Sequence, residues 1–173
     1  AQEAIEMLAG FGVVDGTDNV HYEPNRSITR AELTKILVKA LNLSADGTET
    51  TFVDVPATAW YAGYTTAAAK AGLVKGYEDG SFRPDRLVTR EELTAVLVRG
   101  LELTAQTDPK SVSDPASDSA WSFSDAGMVS PWAKDFIAAA AGSELVHGYP
   151  DGTFQPQGQV TRAECAAMLY RAL

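Results

Sequence analysis

Apolar residues recur at helical spacing in three stretches of the chain, each directly after a polar phrase of the form Thr-Arg-x-Glu. Apolar positions three or four residues apart form one hydrophobic stripe along a helix. The pattern therefore predicts three amphipathic helices. Their stripes are Leu33, Ile36, Leu37, Ala40 and Leu41 in the first, Leu93, Val96, Leu97, Gly100 and Leu101 in the second, and Cys165, Met168, Leu169, Ala172 and Leu173 in the third.

The polar phrase predicts how each helix begins. A Thr at the N-cap and a Glu three residues later can form a capping box, in which each side chain accepts a hydrogen bond from the other residue's backbone N–H. We expect this structural role for Thr29, Glu32, Thr89, Glu92, Thr161 and Glu164.

Each capped helix is the end of a longer repeat. The second phrase starts 60 residues after the first (29 to 89), and the third starts 72 residues after the second (89 to 161). The full unit has an alanine-rich first helix ending near Gly72, then a loop from Gly76 to Pro84 that contains Asp79-Gly80. Asp-Gly favours a tight turn and Pro excludes a central strand, so the loop should be ordered with brief strand pairing at most.

These matches predict three repeats, at 1–43, 52–103 and 123–173, with an insertion or linker at 104–122. The first repeat is shortened, because the residue equivalent to Trp60 would precede Ala1. One unit is too small to bury its own stripe. We therefore expect an all-α fold of three helix–loop–helix repeats in a pseudo-threefold arrangement around a central three-helix bundle, joined by short irregular loops. Trp121, at the end of the insertion, has no assigned role.

The net charge of the chain argues against two classes of binding protein. The chain has 14 Lys and Arg against 23 Asp and Glu, a net charge of −9. Nucleic-acid and anionic-membrane binders need a broad basic surface, so neither class is expected. The sequence has no transmembrane run, and its first residues lack a signal-peptide pattern. The single cysteine, Cys165, takes the place of a leucine in the other repeats, which predicts a buried apolar role.

The arginine of the polar phrase is the main indication of a binding site. A cation in the first turn of a helix opposes the helix dipole, at a cost of roughly 0.3–1 kcal/mol at an exposed site. Arg30, Arg90 and Arg162 repeat this arrangement three times. We interpret them as anion-binding residues at helix N-termini. The alternative is a solvated charge or an internal salt bridge, for instance to the Asp of a neighbouring loop.

Taken together, these motifs closely resemble the S-layer homology repeat. The resemblance rests on Phe52-x-Asp54, Trp60, Gly76-Tyr77-x-Asp79-Gly80-x-Phe82-x-Pro84 and Val88-Thr89-Arg90-Glu91-Glu92, with equivalents from Phe123 to Glu164. It implies a central three-helix bundle that binds secondary cell-wall polysaccharide of Gram-positive-type bacteria, commonly through a pyruvylated amino sugar such as pyruvylated ManNAc. The ligand would lie in grooves between adjacent repeats.

That resemblance implies a non-catalytic module that retains an S-layer or other surface protein on the cell, outside the membrane and without a cofactor. The expected ligand-binding residues are Arg30, Arg90, Arg162, Trp60, Trp132, Gly76, Tyr77, Gly148 and Tyr149. No position of this sequence is equivalent to Trp60 in the first repeat, and we expect two or three of the grooves to bind the ligand. The main alternative is a module for protein–protein contacts or self-assembly in a cell-surface layer.

Several of these residues also have structural interpretations. Trp60 and Trp132 can fill the core or present an indole face to a sugar. Tyr77 and Tyr149 can pack their loop onto its helix. The glycines at 76, 80, 148 and 152 can supply turn conformations or let a ligand approach the backbone. His21 and His147 stand at unrelated repeat positions, so no zinc site or His-based catalysis is expected. No pair of carboxylates suggests a glycosidase.

Overall fold

The computed structural model describes residues 1–16, 21–47, 49–50, 52–104 and 122–173, without the side chains of 102–104. Its helices are α1 (Gln2–Gly10), α2 (Arg30–Ala40), α3 (Ala62–Lys70), α4 (Arg90–Thr104), α5 (Lys134–Gly142) and α6 (Arg162–Ala172). Two short 3-10 helices, Ala126–Met128 and Pro131–Ala133, precede α5. Apart from its two end residues, the expected insertion at 104–122, with Trp121, lies outside the described residues.

The all-α prediction is confirmed. The described part of the chain contains helices and three isolated β-bridges but no strand. Helix α3 packs on α2, α5 packs on α4, and α1 packs on α6. The first helix of each repeat therefore lies against the second helix of another repeat, so the repeats share one structure instead of folding as separate units.

A closed ring of backbone hydrogen bonds connects the repeats. The N–H of Val88 donates to the carbonyl of Ile28, that of Val160 to Val88, and that of Ile28 to Val160, with N···O distances of 3.1, 3.0 and 2.9 Å. All three side chains are at most 1% exposed. The bridges follow the same cycle, joining Thr29 to Leu87, Thr89 to Gln159 and Thr161 to Ser27. This bonding supports the pseudo-threefold arrangement, which stays a prediction.

The apolar stripes of α2, α4 and α6 meet in one hydrophobic cluster. Near their C-terminal ends the three helices line a common void of about 30 Å³, formed by Leu37, Leu41, Leu97, Gly100, Leu101, Leu169, Ala172 and Leu173. These are the positions that the helical pattern assigned to the shared core. Cys165 lies in the same cluster at 1% exposure, and burial raises the pKa of its thiol to about 12, so it is an inert core residue.

Each complete loop is held by an aspartate from the start of its own repeat. The Asp54 carboxylate accepts hydrogen bonds from the backbone N–H groups of Phe82 and Arg83, both at 2.7 Å. Asp125 does the same for Phe154 and Gln155, at 2.8 and 2.7 Å. Arg83 and Gln155 both have a φ of 58°. The carboxylate therefore stabilises a left-handed backbone conformation that non-glycine residues rarely adopt.

We predict that Asp54→Ala lowers the free energy of unfolding by about 2 kcal/mol, because two charge-assisted hydrogen bonds to a partly buried carboxylate are lost. The melting temperature should fall by about 4–8 °C. Thermal unfolding followed by circular dichroism measures both quantities. The matched control is Glu78→Ala, which removes an exposed carboxylate from the same loop. Equal melting temperatures for the two variants would contradict the proposed role of Asp54.

Candidate functional site

The three capped helix N-termini are joined to neighbouring loops by their backbone. In α2, the Thr29 and Glu32 side chains form the capping box, and the N–H groups of Arg30 and Ala31 donate to the carbonyls of Arg86 and Pro84. The first turns of α4 and α6 make the equivalent bonds. These amides have internal acceptors, so an anion at these sites would have to be held by side chains.

The arginine side chains also reach the neighbouring loop. Arg30 Nε donates to the Phe82 carbonyl at 2.9 Å and its Nη2 to the Lys75 carbonyl at 3.2 Å. Arg162 binds the equivalent carbonyls of Tyr22 and Asp15, at 2.9 and 2.6 Å. Arg90 Nη2 donates to the His147 carbonyl at 2.7 Å. Backbone carbonyls, which carry partial negative charge, offset the unfavourable helix dipole at all three positions.

Aromatic rings complete the environment of these guanidinium groups. Arg30 lies over the rings of Tyr77 and Phe82, at 5.1 and 4.9 Å from the centroids. Arg90 lies over Tyr149 at 4.7 Å, and Arg162 over Tyr22 at 4.5 Å. Cation–π contacts of this kind are favourable when desolvated. Arg90 and Arg162 are only 8% and 5% exposed, whereas Arg30 is more accessible. The recurrence of the arginine is thus explained in large part by contacts between repeats.

Glycine is required at the loop positions for two different structural reasons. Gly80 and Gly152 adopt φ values of 76° and 79°, as expected for turn residues. Gly76 and Gly148 do not have a positive φ. A Cβ on Gly76 would lie 2.4 Å from the Phe52 ring, and one on Gly148 would lie 2.8 Å from the Phe123 ring. Close packing against these rings, not turn conformation, therefore requires glycine at 76 and 148.

The hydroxyl groups of Tyr77 and Tyr149 bond to the capping box of their own repeat, Tyr149 directly to the glutamate and Tyr77 through an arginine. Tyr149 donates a hydrogen bond of 2.5 Å to Glu164, and Tyr77 accepts one of 2.7 Å from Arg86, which also pairs with Glu92. Burial raises the pKa of Tyr149, and the bond to Glu164 acts in the same direction. Both tyrosines are partly exposed, so they link the loop to the helix while keeping one edge at the surface.

An open cleft of about 230 Å³ lies beside α2. All three repeats contribute to it: the loop and helix of the first, Trp60 of the second and Arg162 of the third. Its polar and aromatic lining consists of Asp15, Arg26, Glu32, Lys35, Trp60 and Arg162. A cleft formed where repeats meet fits the groove that the sequence resemblance implies.

Three cations and two carboxylates determine the charge of this cleft. Lys35 Nζ lies 2.7 Å from the Asp15 carboxylate, and this hydrogen bond lowers the pKa of Asp15. Arg26 pairs with Glu32, and Arg162 Nη1 lies 3.6 Å from the same carboxylate. Burial tends to raise the pKa of Glu32, but the hydrogen bonds from Arg26 and Thr29 outweigh it, so the pKa is lowered. With both carboxylates ionised, the lining has an excess of one positive charge.

Both repeat tryptophans are exposed, and neither fills the core. Trp60 is 56% exposed and Trp132 is 50% exposed. Trp60 makes an edge-on contact with Tyr61 at 5.2 Å between centroids, and Lys35 Nζ lies 5.8 Å from the centroid of its ring. An indole face that borders a charged cleft can pack against the apolar C–H face of a sugar ring.

The equivalent positions in the other repeats differ. Lys35 corresponds to Ala95 and Ala167, and Arg26 corresponds to Arg86 and Gly158. The second repeat has the additional cation Lys75 where the first has Asp15. The third has neither the lysine nor the arginine. Sequence reasoning missed Lys35 and Arg26 because they do not recur in all three units.

The residues that the structure describes include neither a metal-binding cluster nor a membrane-spanning helix. Among them, no group of three or more His, Cys, Asp or Glu side chains is placed to hold a metal ion. None of their helices combines the length and the apolar character that crossing a bilayer requires.

The chain is similar to segments of longer proteins, and it spans between 9% and 33% of the length of three of them. It is 38% identical, over its full length, to 9% of an amylopullulanase of Thermoanaerobacterium thermosulfurigenes. It is 31% identical, again over its full length, to 14% of a surface-layer 125 kDa protein of Lysinibacillus sphaericus. In a cellulosome-anchoring protein of Acetivibrio thermocellus, the identity is 31% over 88% of this chain and 33% of that protein.

The family comparison agrees with the three repeats. The model of the S-layer homology domain matches residues 1–34, 51–94 and 122–166. Each match contains one Thr-Arg-x-Glu phrase and the loop before it, which are the elements that bond one repeat to the next. The chain therefore belongs to the S-layer homology domain family.

Proposed function

We propose that this chain is a non-catalytic anchoring module that binds pyruvylated secondary cell-wall polysaccharide in grooves between repeats. The observation that carries the proposal is the cleft beside α2, where an exposed indole borders three cations at a junction of repeats. Family membership and the names of the surface-layer and anchoring relatives support the anchoring role.

The chemistry of the cleft suits an acidic sugar. A pyruvyl ketal carries a carboxylate, which Lys35 and Arg26 can bind at the rim, with Arg162 behind them. The ring of the sugar would pack on Trp60. The net charge of −9 does not attract a polyanion from a distance, so recognition depends on these local cations.

The proposal extends to the sites that the repeats make equivalent. Arg30, Arg90 and Arg162 would act mainly by building each groove and holding positive charge behind it. Trp60 and Trp132 would contact the sugar, and the Gly-Tyr pairs at 76–77 and 148–149 would form the loop wall. Two or more weak grooves on one chain raise retention on a repeating polymer without tighter individual sites.

We further propose that the module works outside the cell, at the cell wall or S-layer, as part of a larger protein. The relatives that contain similar segments include a surface-layer protein and an enzyme, an amylopullulanase. In that arrangement the enzymatic activity would belong to other parts of the larger protein, and this chain would supply attachment.

Lys35 provides the first test. We expect Lys35→Ala to weaken binding of pyruvylated wall polysaccharide about fivefold, because a partly exposed charge pair contributes on the order of 1 kcal/mol. Alanine occupies the equivalent positions 95 and 167, so the fold should tolerate it. Isothermal titration calorimetry with the purified polymer measures the change. Chemical removal of pyruvate should abolish binding by the unmutated chain and remove the difference between the two proteins.

The matched control is Lys39→Ala. Lys39 Nζ lies 3.0 Å from the same Asp15 carboxylate but does not line the cleft. Its loss should leave the affinity nearly unchanged. Equal effects of the two lysine variants would argue against the cleft. Unchanged binding of the depyruvylated polymer would argue against an acidic sugar, and a chain that binds a protein partner but neither polymer would favour the interaction module.

Trp60 provides the second test. We expect Trp60→Ala to weaken binding of the pyruvylated polymer about tenfold, since an indole contact contributes on the order of 1–2 kcal/mol. The melting temperature should change little because the side chain is 56% exposed. Phe11→Ala is the control, as it removes an aromatic ring that is 76% exposed and does not line the cleft. A similar loss of affinity in both variants would rule out a specific role for Trp60.

A further inference from the structure

Glu91 is a buried carboxylate that the repeat pattern does not explain. It is the second residue of α4 and only 3% exposed. The equivalent residues of α2 and α6 are Ala31 and Ala163. Burying a carboxylate is unfavourable unless it is hydrogen-bonded, so a specific set of partners must stabilise it.

Three hydrogen bonds from the third repeat satisfy this carboxylate. The backbone N–H of Ser130 donates at 3.0 Å, its hydroxyl donates at 2.7 Å, and the Gln157 side-chain amide donates at 2.8 Å. The Gln157 amide also donates to the Ser130 hydroxyl at 3.3 Å. Among the described residues, no ion pair to Glu91 is found, so neutral donors alone hold it.

These donors surround the start of the 3-10 helix that carries Trp132. Ser130 is the N-cap of Pro131–Ala133, and its own side chain makes no capping bond within that helix. Instead the Glu91 carboxylate binds the N-cap residue and ties the segment to the first turn of α4. A carboxylate beside a helix start is also favoured by the local backbone dipole.

The second repeat provides a natural comparison. Its equivalent segment, Thr58 to Trp60, forms turns but no 3-10 helix, and alanine stands at position 31. There the indole is supported by the cation of Lys35 at 5.8 Å. In α4 the position of Lys35 is taken by Ala95, so that support is missing for Trp132. The chain therefore has a different means of holding each tryptophan.

We infer that Glu91 is a positioning residue that fixes Trp132 beside α4 for contact with the wall glycan. The inference rests on the proposed function, because it gives Trp132 the role in the second groove that Trp60 has in the first. A tryptophan held before the ligand arrives loses less conformational freedom on binding, which raises affinity. Glu91 touches no ligand in this scheme and acts through Ser130 and the 3-10 helix.

The first measurement tests the position of Trp132 without a ligand. Trp132 is the one tryptophan left in a chain carrying Trp60→Phe and Trp121→Phe. In that background, Glu91→Ala should increase acrylamide quenching of Trp132 about twofold, because the segment loses its buried hydrogen bonds. Glu91→Gln should have a smaller effect, since its amide oxygen still accepts. The control is Asp135→Ala, which removes an exposed carboxylate three residues from Trp132.

The second measurement is a double-mutant cycle on affinity in the Trp60→Ala background, where the first groove is weakened and binding reports mainly the second groove. The probe is a pyruvylated N-acetylmannosamine glycoside. Glu91→Ala and Trp132→Ala should each weaken binding about three- to tenfold, and the double variant should be no weaker than Trp132→Ala alone. Additive losses would mean that Glu91 does not act through Trp132. Circular dichroism confirms folding, and Glu91→Gln replaces Glu91→Ala in the cycle if the alanine variant unfolds.

The two measurements separate the two hypotheses. Unchanged quenching in a folded Glu91→Ala chain overturns the positioning role, whatever the ligand. Increased quenching together with no binding of the probe by the unmutated chain leaves Glu91 as the residue that positions Trp132 and rejects the acidic-sugar ligand. Increased quenching and a non-additive cycle support both.

Discussion

The first-turn amides of α2, α4 and α6 need hydrogen-bond acceptors, and these acceptors lie in another repeat. The carbonyls of Pro84 and Arg86 serve α2, and their counterparts in the third and first repeats serve α4 and α6. A single repeat would leave these donors without protein partners and its apolar stripe exposed, which is why we expect the three repeats to fold together. The ring through Ile28, Val88 and Val160 lies in the buried centre of the same junction.

The repeated arginine has a structural role in these junctions. Its position in the first turn places the guanidinium within reach of the carbonyls that the neighbouring loop presents, and on the aromatic ring of that loop. The arginine therefore helps to build the junction before any ligand is present. The guanidinium groups of Arg90 and Arg162 also lie 3.8 and 3.6 Å from the carboxylates of Glu164 and Glu32, which belong to other repeats. These contacts show a structural role for the arginine, whereas its role in binding stays a proposal.

The sequence predicted the features that depend on short-range pattern. The helical stripes, the Thr–Glu phrases and the Asp-Gly turns are local, and the helices, capping bonds and positive φ values occur where those patterns lie. The polar contacts between repeats could not be predicted in this way. The acceptors of Arg30 lie 45 and 52 residues away, and the exposure of Trp60 depends on how three repeats meet. Lys35 and Glu91 were not predicted for another reason. Each occurs in one repeat only, and the prediction of site residues relied on positions that recur.

The Thr, Arg and Glu residues that recur in every repeat mostly form the junctions between repeats. There they make hydrogen bonds to backbone groups or to one another. Differences between the grooves must then come from residues that vary, such as Lys35 against Ala95, Arg26 against Gly158, and Glu91 against Ala31. The first repeat has Lys35 near its groove tryptophan, the second has Lys75 in place of Asp15 and Glu91 bonded to Ser130, and the third has neither of these lysines and has an alanine at position 163. A chain with equivalent junctions can therefore present three unequal surfaces beside them, because the residues that form the ring of hydrogen bonds are not the residues that vary between repeats.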